Sequence, residues 1–190
     1  MTAQEALDRL VQGNQRFAGA RMEHPRLTSS HRHALLSGQE PFAAILCCSD
    51  SRVPPEHLFD LGLGDIFVVR LAGNVIDIMA AASLEYAAVQ LRVPLIMVLG
   101  HSSCGAIKAA LADNGTAPGP ISPLVEAIKP AFAADSTRAD ADTVARTHAK
   151  RMASSLRTLE PVLNGMVNAG TLRIVSAFYD LSSGSVAILE

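Results

Sequence analysis

The sequence predicts an α/β fold: a mainly parallel central sheet flanked by helices, with a C-terminal strand hairpin. Three observations lead there. Short apolar runs, Ala43–Cys48, Ile66–Val69 and Leu95–Leu99, alternate with segments of helical length and composition. Each run is apolar at consecutive positions, as expected of strands buried on both faces. Two final runs, Leu172–Tyr179 and Ser185–Leu189, are separated by the tight connection Asp180–Gly184, which suits an antiparallel hairpin.

Each element has its own local cause. Thr2 followed by Glu5 is a capping box, and Leu7, Leu10, Val11 and Phe17 recur at helical spacing, so Thr2–Arg16 reads as an amphipathic helix. Asn14 falls on the same side as that stripe, a minor imperfection. Arg21–Gly38 is polar, with Pro25 and three histidines, and reads as surface loop with a short helix. Pro54 and Pro55 break the chain before a helical turn over Glu56–Leu61. Asp77–Leu91 has the Ala, Leu and Met content of a helix that ends before Pro94. Gly100–Gly105 turns into a helix running to about Asp113. Gly115–Pro123 is a proline-rich loop. Helices are expected over Leu124–Ala133 and Asp140–Asn168, the second interrupted at Pro161.

At 190 residues the chain has the size of one domain, 1–190, with 1–38 as an N-terminal helical arm. Nearly half of it, 49%, is hydrophobic, yet no apolar run approaches the roughly 20 residues of a membrane helix. The excess apolarity therefore points to a large core plus a subunit interface, and no membrane partner is expected. A net charge of −2 without a Lys/Arg stripe argues against nucleic acid. Three cysteines, two of them adjacent, make a poor disulfide framework. With no basic and apolar leader pattern at the N-terminus, the expected location is the reducing cytoplasm.

The residues that carry chemistry lie at strand ends. Cys48-Ser49-Asp50-Ser51-Arg52 follows the first strand and His101-Ser102-Ser103-Cys104 the third. In an open parallel sheet, ligands collect beyond the carboxyl ends of strands, so two distant loops can converge. Two thiolates and one imidazole suit zinc, and three protein ligands leave a fourth position open, the pattern of a catalytic site. The bland alternative makes Cys48 and Cys104 small buried hydrophobes and His101 a core histidine. It would hold for one isolated residue, and holds less readily for paired motifs at corresponding strand ends. Cys47 and Cys48 point to opposite faces, and the spacing to Asp50 and Arg52 favours Cys48 as the ligand.

Cys48-x-Asp50-x-Arg52 with His101-x-x-Cys104 resembles the zinc signature of β-class carbonic anhydrases. The resemblance extends through Ser49–Pro54, Phe67–Arg70, Ala72-Gly73-Asn74, Ser83–Ala87 and Gly100–Gly105, and includes Gly13–Phe17 and Tyr179–Leu181. It implies one Zn²⁺ per chain, held by Cys48, His101 and Cys104, and reversible hydration of CO2 to bicarbonate by hydroxide generated on the metal. It also implies a homodimer at least, with tetramers or larger assemblies frequent. Asp50, kept ionised by Arg52, would accept a hydrogen bond from the hydroxide and orient a lone pair at CO2. In a closed state the same Asp50 would ligate zinc. Gln39 and the backbone N–H of Gly105 would donate to a bound oxygen. Ala72 would line the pocket, and Phe67 and Tyr86 would come from the dimer mate. For each of these residues ordinary packing is the competing explanation.

Two departures matter. Some family members build an inhibitory bicarbonate site around a Trp three residues before the first zinc cysteine. This chain has Ile45 there and no Trp, although Arg70 and Tyr179 remain. Leu71 stands where many relatives have Asn. The set Gln39, Phe67 and Tyr86 resembles the plant-type branch. Among His24, His31, His33, His57 and His148, only His57 lies near enough to the Arg52 loop in sequence to be kept as a proton-shuttle candidate. Two alternatives stand beside CO2 hydration: hydrolysis of carbonyl sulfide or carbon disulfide on the same fold, and an inactive zinc-binding interaction protein. Thiol redox chemistry at Cys47-Cys48 lacks the Cys-x-x-Cys spacing.

Overall fold

The computed structural model describes residues 1–113, 115, 117–132 and 140–190. Its elements are α1 (Ala3–Ala18), α2 (Ser29–Ala34), β1 (Ala43–Cys47), α3 (Pro55–Leu58), β2 (Ile66–Arg70), α4 (Ile78–Val89), β3 (Leu95–His101), α5 (Gly105–Ala112), α6 (Ile121–Ile128), α7 (Ala141–Arg157), α8 (Val162–Asn168), β4 (Arg173–Tyr179) and β5 (Val186–Ile188). The strands form one sheet in the order β2-β1-β3-β4-β5. The first four are mutually parallel and β5 pairs antiparallel with β4, as the sequence predicts.

The helices begin where side chains can satisfy their first N–H groups. Thr2 and Glu5 close the predicted capping box on α1. Asp77 accepts from Ala80 N at the start of α4, and Asp140 accepts from Thr143 N at the start of α7. The central strands separate two layers. Ala43, Ile45 and Cys47 face a core built with Leu7 and Leu10 of α1 and with Leu58 and Phe59. Ala44 and Leu46 face Leu84 of α4 and Ala149, Ala153 and Leu156 of α7. Each fully buried Leu, Ile or Phe side chain in these layers contributes about 1.5–3 kcal/mol.

Four expectations need correction. Ile66–Val69 is not a buried strand: β2 is a sheet edge, and of its residues only Val69 is buried. Apolar content reports what a strand is suited to bury, but not whether its own chain covers it. The helix expected from Leu124 begins at Ile121, because Pro123 fits within a first helical turn, where its missing N–H has no partner to lose. The Ala133 end of that expectation lies outside the described residues. The break expected at Pro161 comes earlier, with α7 ending at Arg157. Asn14, finally, is no imperfection. Its buried amide donates to Leu58 O and Gly184 O, both at 3.0 Å, and accepts from Val186 N at 2.8 Å, tying α1 to α3 and to the C-terminal hairpin.

Candidate metal centre and active site

The site lies where the strand order reverses. From β1 the chain crosses to β2 on one side and then returns to β3 on the other, opening a crevice at the carboxyl ends of β1 and β3. Cys47 pairs in register with Leu99, so the residues after β1 come level with His101 at the end of β3. Cys104 follows at the N-cap of α5.

The ligand atoms of Cys48, His101 and Cys104 all lie within 4.8 Å of one another, and all three residues are buried. His101 is fully buried, and its Nδ1 lies 2.9 Å from Ser102 O. Donation to that carbonyl fixes the tautomer and leaves Nε2 as a bare lone pair, buried without a hydrogen-bond partner. Such an orphan costs free energy unless something binds it. The Cys48 sulfur accepts from Gly73 N at 3.2 Å and from Asp50 N at 3.4 Å. The neighbouring Cys104 thiol, with the Asp50 and Gly73 amides, outweighs burial and holds the Cys48 thiol well below its ordinary pKa. The contact with Cys48, together with burial, pushes the Cys104 thiol up, against the opposing amides of Ile107 and Ala106. Two convergent sulfurs and one free imidazole nitrogen fit a zinc ion.

Cys47 points the other way, into the core beneath α1 and α3, where burial pushes its thiol up to about 12. Asp50 stands outside the three-residue ligand group. Arg52 Nε donates to Oδ1 at 2.9 Å and Nη2 to Oδ2 at 2.8 Å, while Arg52 N adds a bond to Oδ1 at 3.0 Å. These bonds hold the Asp50 carboxyl well below the usual carboxylate range.

Of the other predicted site residues, Ala72 and Gly105 lie at this end of the sheet. Ala72 is exposed beside Gly73, and the position of a Cβ on Gly105 is open space. Gln39 lies elsewhere. It is exposed before β1, roughly 15 Å of strand away from Cys48. Phe67 pairs with Ala44 partway along the sheet, and its ring lies 6.1 Å from that of Tyr86 on α4, tilted by 40°. One chain therefore does not gather Gln39, Phe67 and Tyr86 at its own metal ligands.

Several contributors carry no local signal in the sequence. Arg70 donates to Cys48 O at 3.1 Å and Asp50 O at 2.6 Å, so it shapes the ligand loop. Ser102 donates its N–H to Tyr179 O and accepts from Leu181 N, both at 2.9 Å. Asp142 of α7 accepts from Ser103 N. The backbone of Leu71 bonds to Cys47 O and Ser49 N, and its side chain packs against buried apolar neighbours. Ile45, at the position of the absent Trp, is fully buried in β1, and Tyr179 is buried as well. His57 is exposed on α3. His148 is fully buried, and burial pushes its pKa down to about 4, so it is no surface proton carrier.

Comparison with known proteins agrees with this arrangement. The family model described as carbonic anhydrase matches residues 43–186. Carbonic anhydrase 2 of Mycobacterium tuberculosis is 41% identical over 188 residues, covering 95% of this chain and 90% of that protein. Among solved structures, the β-carbonic anhydrase CcaA superposes with a TM-score of 0.76 at 28% identity, covering 97% of this chain and 95% of that one. A tetrameric β-carbonic anhydrase of Sordaria macrospora gives a TM-score of 0.77 at 25% identity, with 97% of both chains covered. The match runs through the ligand loops and the sheet that carries them, and the chain belongs to the β-carbonic anhydrase family of enzymes.

Proposed function

We propose that the chain, acting over 1–190 as one catalytic unit, catalyses the zinc-dependent, reversible hydration of CO2 to bicarbonate and a proton. The observation that carries this reading is the buried convergence of Cys48 Sγ, Cys104 Sγ and the unpartnered His101 Nε2, with the ionised Asp50 carboxylate beside it. These three residues would hold one zinc ion. When bound, zinc supplies the Lewis acidity that makes hydroxide available from water at neutral pH.

The chain's own groups do the rest. Cys48 and Cys104 bind as thiolates, and the Gly73 and Asp50 amides stabilise charge on Cys48. Asp50, ionised and clamped by Arg52, can only accept, so it would accept a hydrogen bond from the nucleophile's O–H and set its direction toward the substrate carbon. Both Asp50 oxygens are engaged by Arg52, and a closed state with Asp50 as a ligand would have to break these bonds. The Gly105 N–H, at the start of α5, would donate to a substrate oxygen, and Ala72 would line the pocket.

Gln39, Phe67 and Tyr86 would reach the pocket from a second copy. Support comes from α4, whose Ile78, Met79, Tyr86 and Val89 are exposed although the helix is apolar, and from its half-exposed neighbour β2. The tetrameric relative is consistent with a homo-oligomer. The same trio supports a plant-type site. With Ile45 buried where a Trp would stand, and Arg70 engaged with two carbonyls, strong bicarbonate inhibition through that region is not expected. Three free cysteines suit a reducing cytoplasm, and among the described residues no helix is long and apolar enough to cross a membrane.

The test is stopped-flow CO2 hydration across neutral pH on zinc-quantified wild type and Asp50→Ala. Activity that rises with pH and collapses in the variant supports the reading. Bound zinc with no hydration at any pH would sink it, and sulfide release from carbonyl sulfide or carbon disulfide would then be measured.

A further inference from the structure

We infer that Asp142 is a positioning residue for the active site, acting from α7 through the single residue Ser103. This rests on the proposed roles of the Cys104 ligand and the Asp50–Arg52 pair. Between His101 and Cys104 the chain must leave β3 and enter α5 within two residues. It does so with Ser103 at φ 54°, in the left-handed region that residues with a Cβ avoid. Such a conformation persists where its surroundings over-determine it. At Ser103 those surroundings are polar and specific. Its N–H donates to Asp142 Oδ1 at 2.7 Å, and its carbonyl accepts from Arg52 Nη2 at 3.3 Å. That same Nη2 donates to Asp50 Oδ2 at 2.8 Å. One side of the Ser103 residue is thus held by Asp142, and the other side steadies the clamp on Asp50.

Asp142 is well placed for this work. Helix α7 is seated on β3 and β4 through Val144, Ala145, Ala149 and Ala153. It lies so close to the end of β3 that a Cβ on Gly100 would stand 3.1 Å from Ala145 O. A carboxylate in its first turn is therefore fixed relative to the ligand-bearing strand. The N-cap of α7 is already Asp140, which accepts from Thr143 N and Thr143 Oγ1, so Asp142 is not needed there. Ser102 is tied independently to β4 through Tyr179 O and Leu181 N. The loop has two anchors, and Asp142 is the one that serves Cys104 and Arg52.

The experiment compares zinc-loaded wild type with Asp142→Ala, Asp142→Asn, Asp140→Ala and Asp50→Ala. It reads the rate of zinc transfer to a chromophoric chelator together with kcat/KM for CO2 hydration. Asp142→Ala is expected to release zinc about tenfold faster and to lose about tenfold in kcat/KM, the scale typical of residues that orient metal ligands. Asp142→Asn keeps an oxygen acceptor for Ser103 N and is expected to restore both values to near wild type. Asp140→Ala removes the helix cap, and is expected to lower thermal stability while leaving zinc release and kcat/KM unchanged. Wild-type behaviour of Asp142→Ala would overturn the inference, as would failure of the Asn variant to restore function. An equal loss in Asp140→Ala would also overturn it, by showing general softening of α7. Full activity in Asp50→Ala would instead remove the underlying role of Asp50, and zinc release would still decide whether Asp142 positions the ligand loop.

Discussion

Arg52 grips both carboxylate oxygens of Asp50, with Nε on Oδ1 at 2.9 Å and Nη2 on Oδ2 at 2.8 Å. The fork is planar and matches the carboxylate, which fixes the rotation of Asp50 as well as its charge. Lysine offers a point charge on a flexible stem and cannot reproduce it. Arg52→Lys is therefore expected to cut CO2 hydration by roughly 10–100-fold while zinc content stays at the wild-type level. Stopped-flow rates on metal-quantified protein check this; wild-type rates would show that the second bond of the fork is dispensable.

The adjacent cysteines should separate cleanly. Cys47 packs beneath α1 and α3, and Cys48 faces His101 and Cys104. Cys47→Ala is expected to retain zinc and to lose about 1 kcal/mol of stability from the small void it leaves. Cys48→Ala is expected to purify without stoichiometric zinc. Metal analysis and thermal melts on the two variants make the comparison, and zinc loss in the Cys47 variant would reverse the assignment.

Asp60 is a buried carboxylate outside the ligand group. Burial alone would raise its pKa, but Arg16 Nε at 2.6 Å and the N–H groups of Glu23 and His24 outweigh burial and lower it. A carboxylate depressed in the folded state contributes stability that is present above its unfolded pKa of about 3.9 and is lost as pH falls through the folded value. Asp60→Asn should accordingly be destabilised by about 1–3 kcal/mol at neutral pH. Its stability should also fall less steeply than that of wild type below about pH 4. Melting temperatures measured from neutral to acid pH test both parts, and parallel curves would exclude Asp60 as a contributor to acid sensitivity.

The exposed face of α4 carries Ile78 at 80% and Met79 at 69% exposure, values that a solvated helix would rarely give to such side chains at adjacent positions. If a second copy covers this face, Ile78→Asp should shift the protein toward monomer in sedimentation velocity. Activity should fall with dissociation, because Phe67 and Tyr86 would no longer reach a partner's pocket. A variant that stays fully assembled would place the interface elsewhere.

Much of this was legible along the chain because the relevant forces act over a few residues. The Thr2–Glu5 box, the helix starts at Asp77 and Asp140 and the hairpin after Tyr179 depend on near neighbours in the chain, and each lies where the sequence puts it. Cys48 and His101 were legible as a pair because parallel strands place their carboxyl ends together. Asn14 was misread for the converse reason: its partners are 44 to 172 residues away, so its pattern position says nothing about how its amide is satisfied.

The sequence by itself determined the strand segments, the helix starts near Thr2, Asp77 and Asp140, the α/β class and the residue types able to hold a metal. Tertiary structure alone decided that β2 is an edge, that Gly73 and Arg70 support the Cys48 loop, that Asp142 meets Ser103, and that Gln39 lies far from its own chain's ligands. Caps, turns and periodicity are settled within a turn or a strand of the residue that causes them. Sheet order and the partners of a buried polar group depend on which distant segments pack together, and no local pattern encodes that choice.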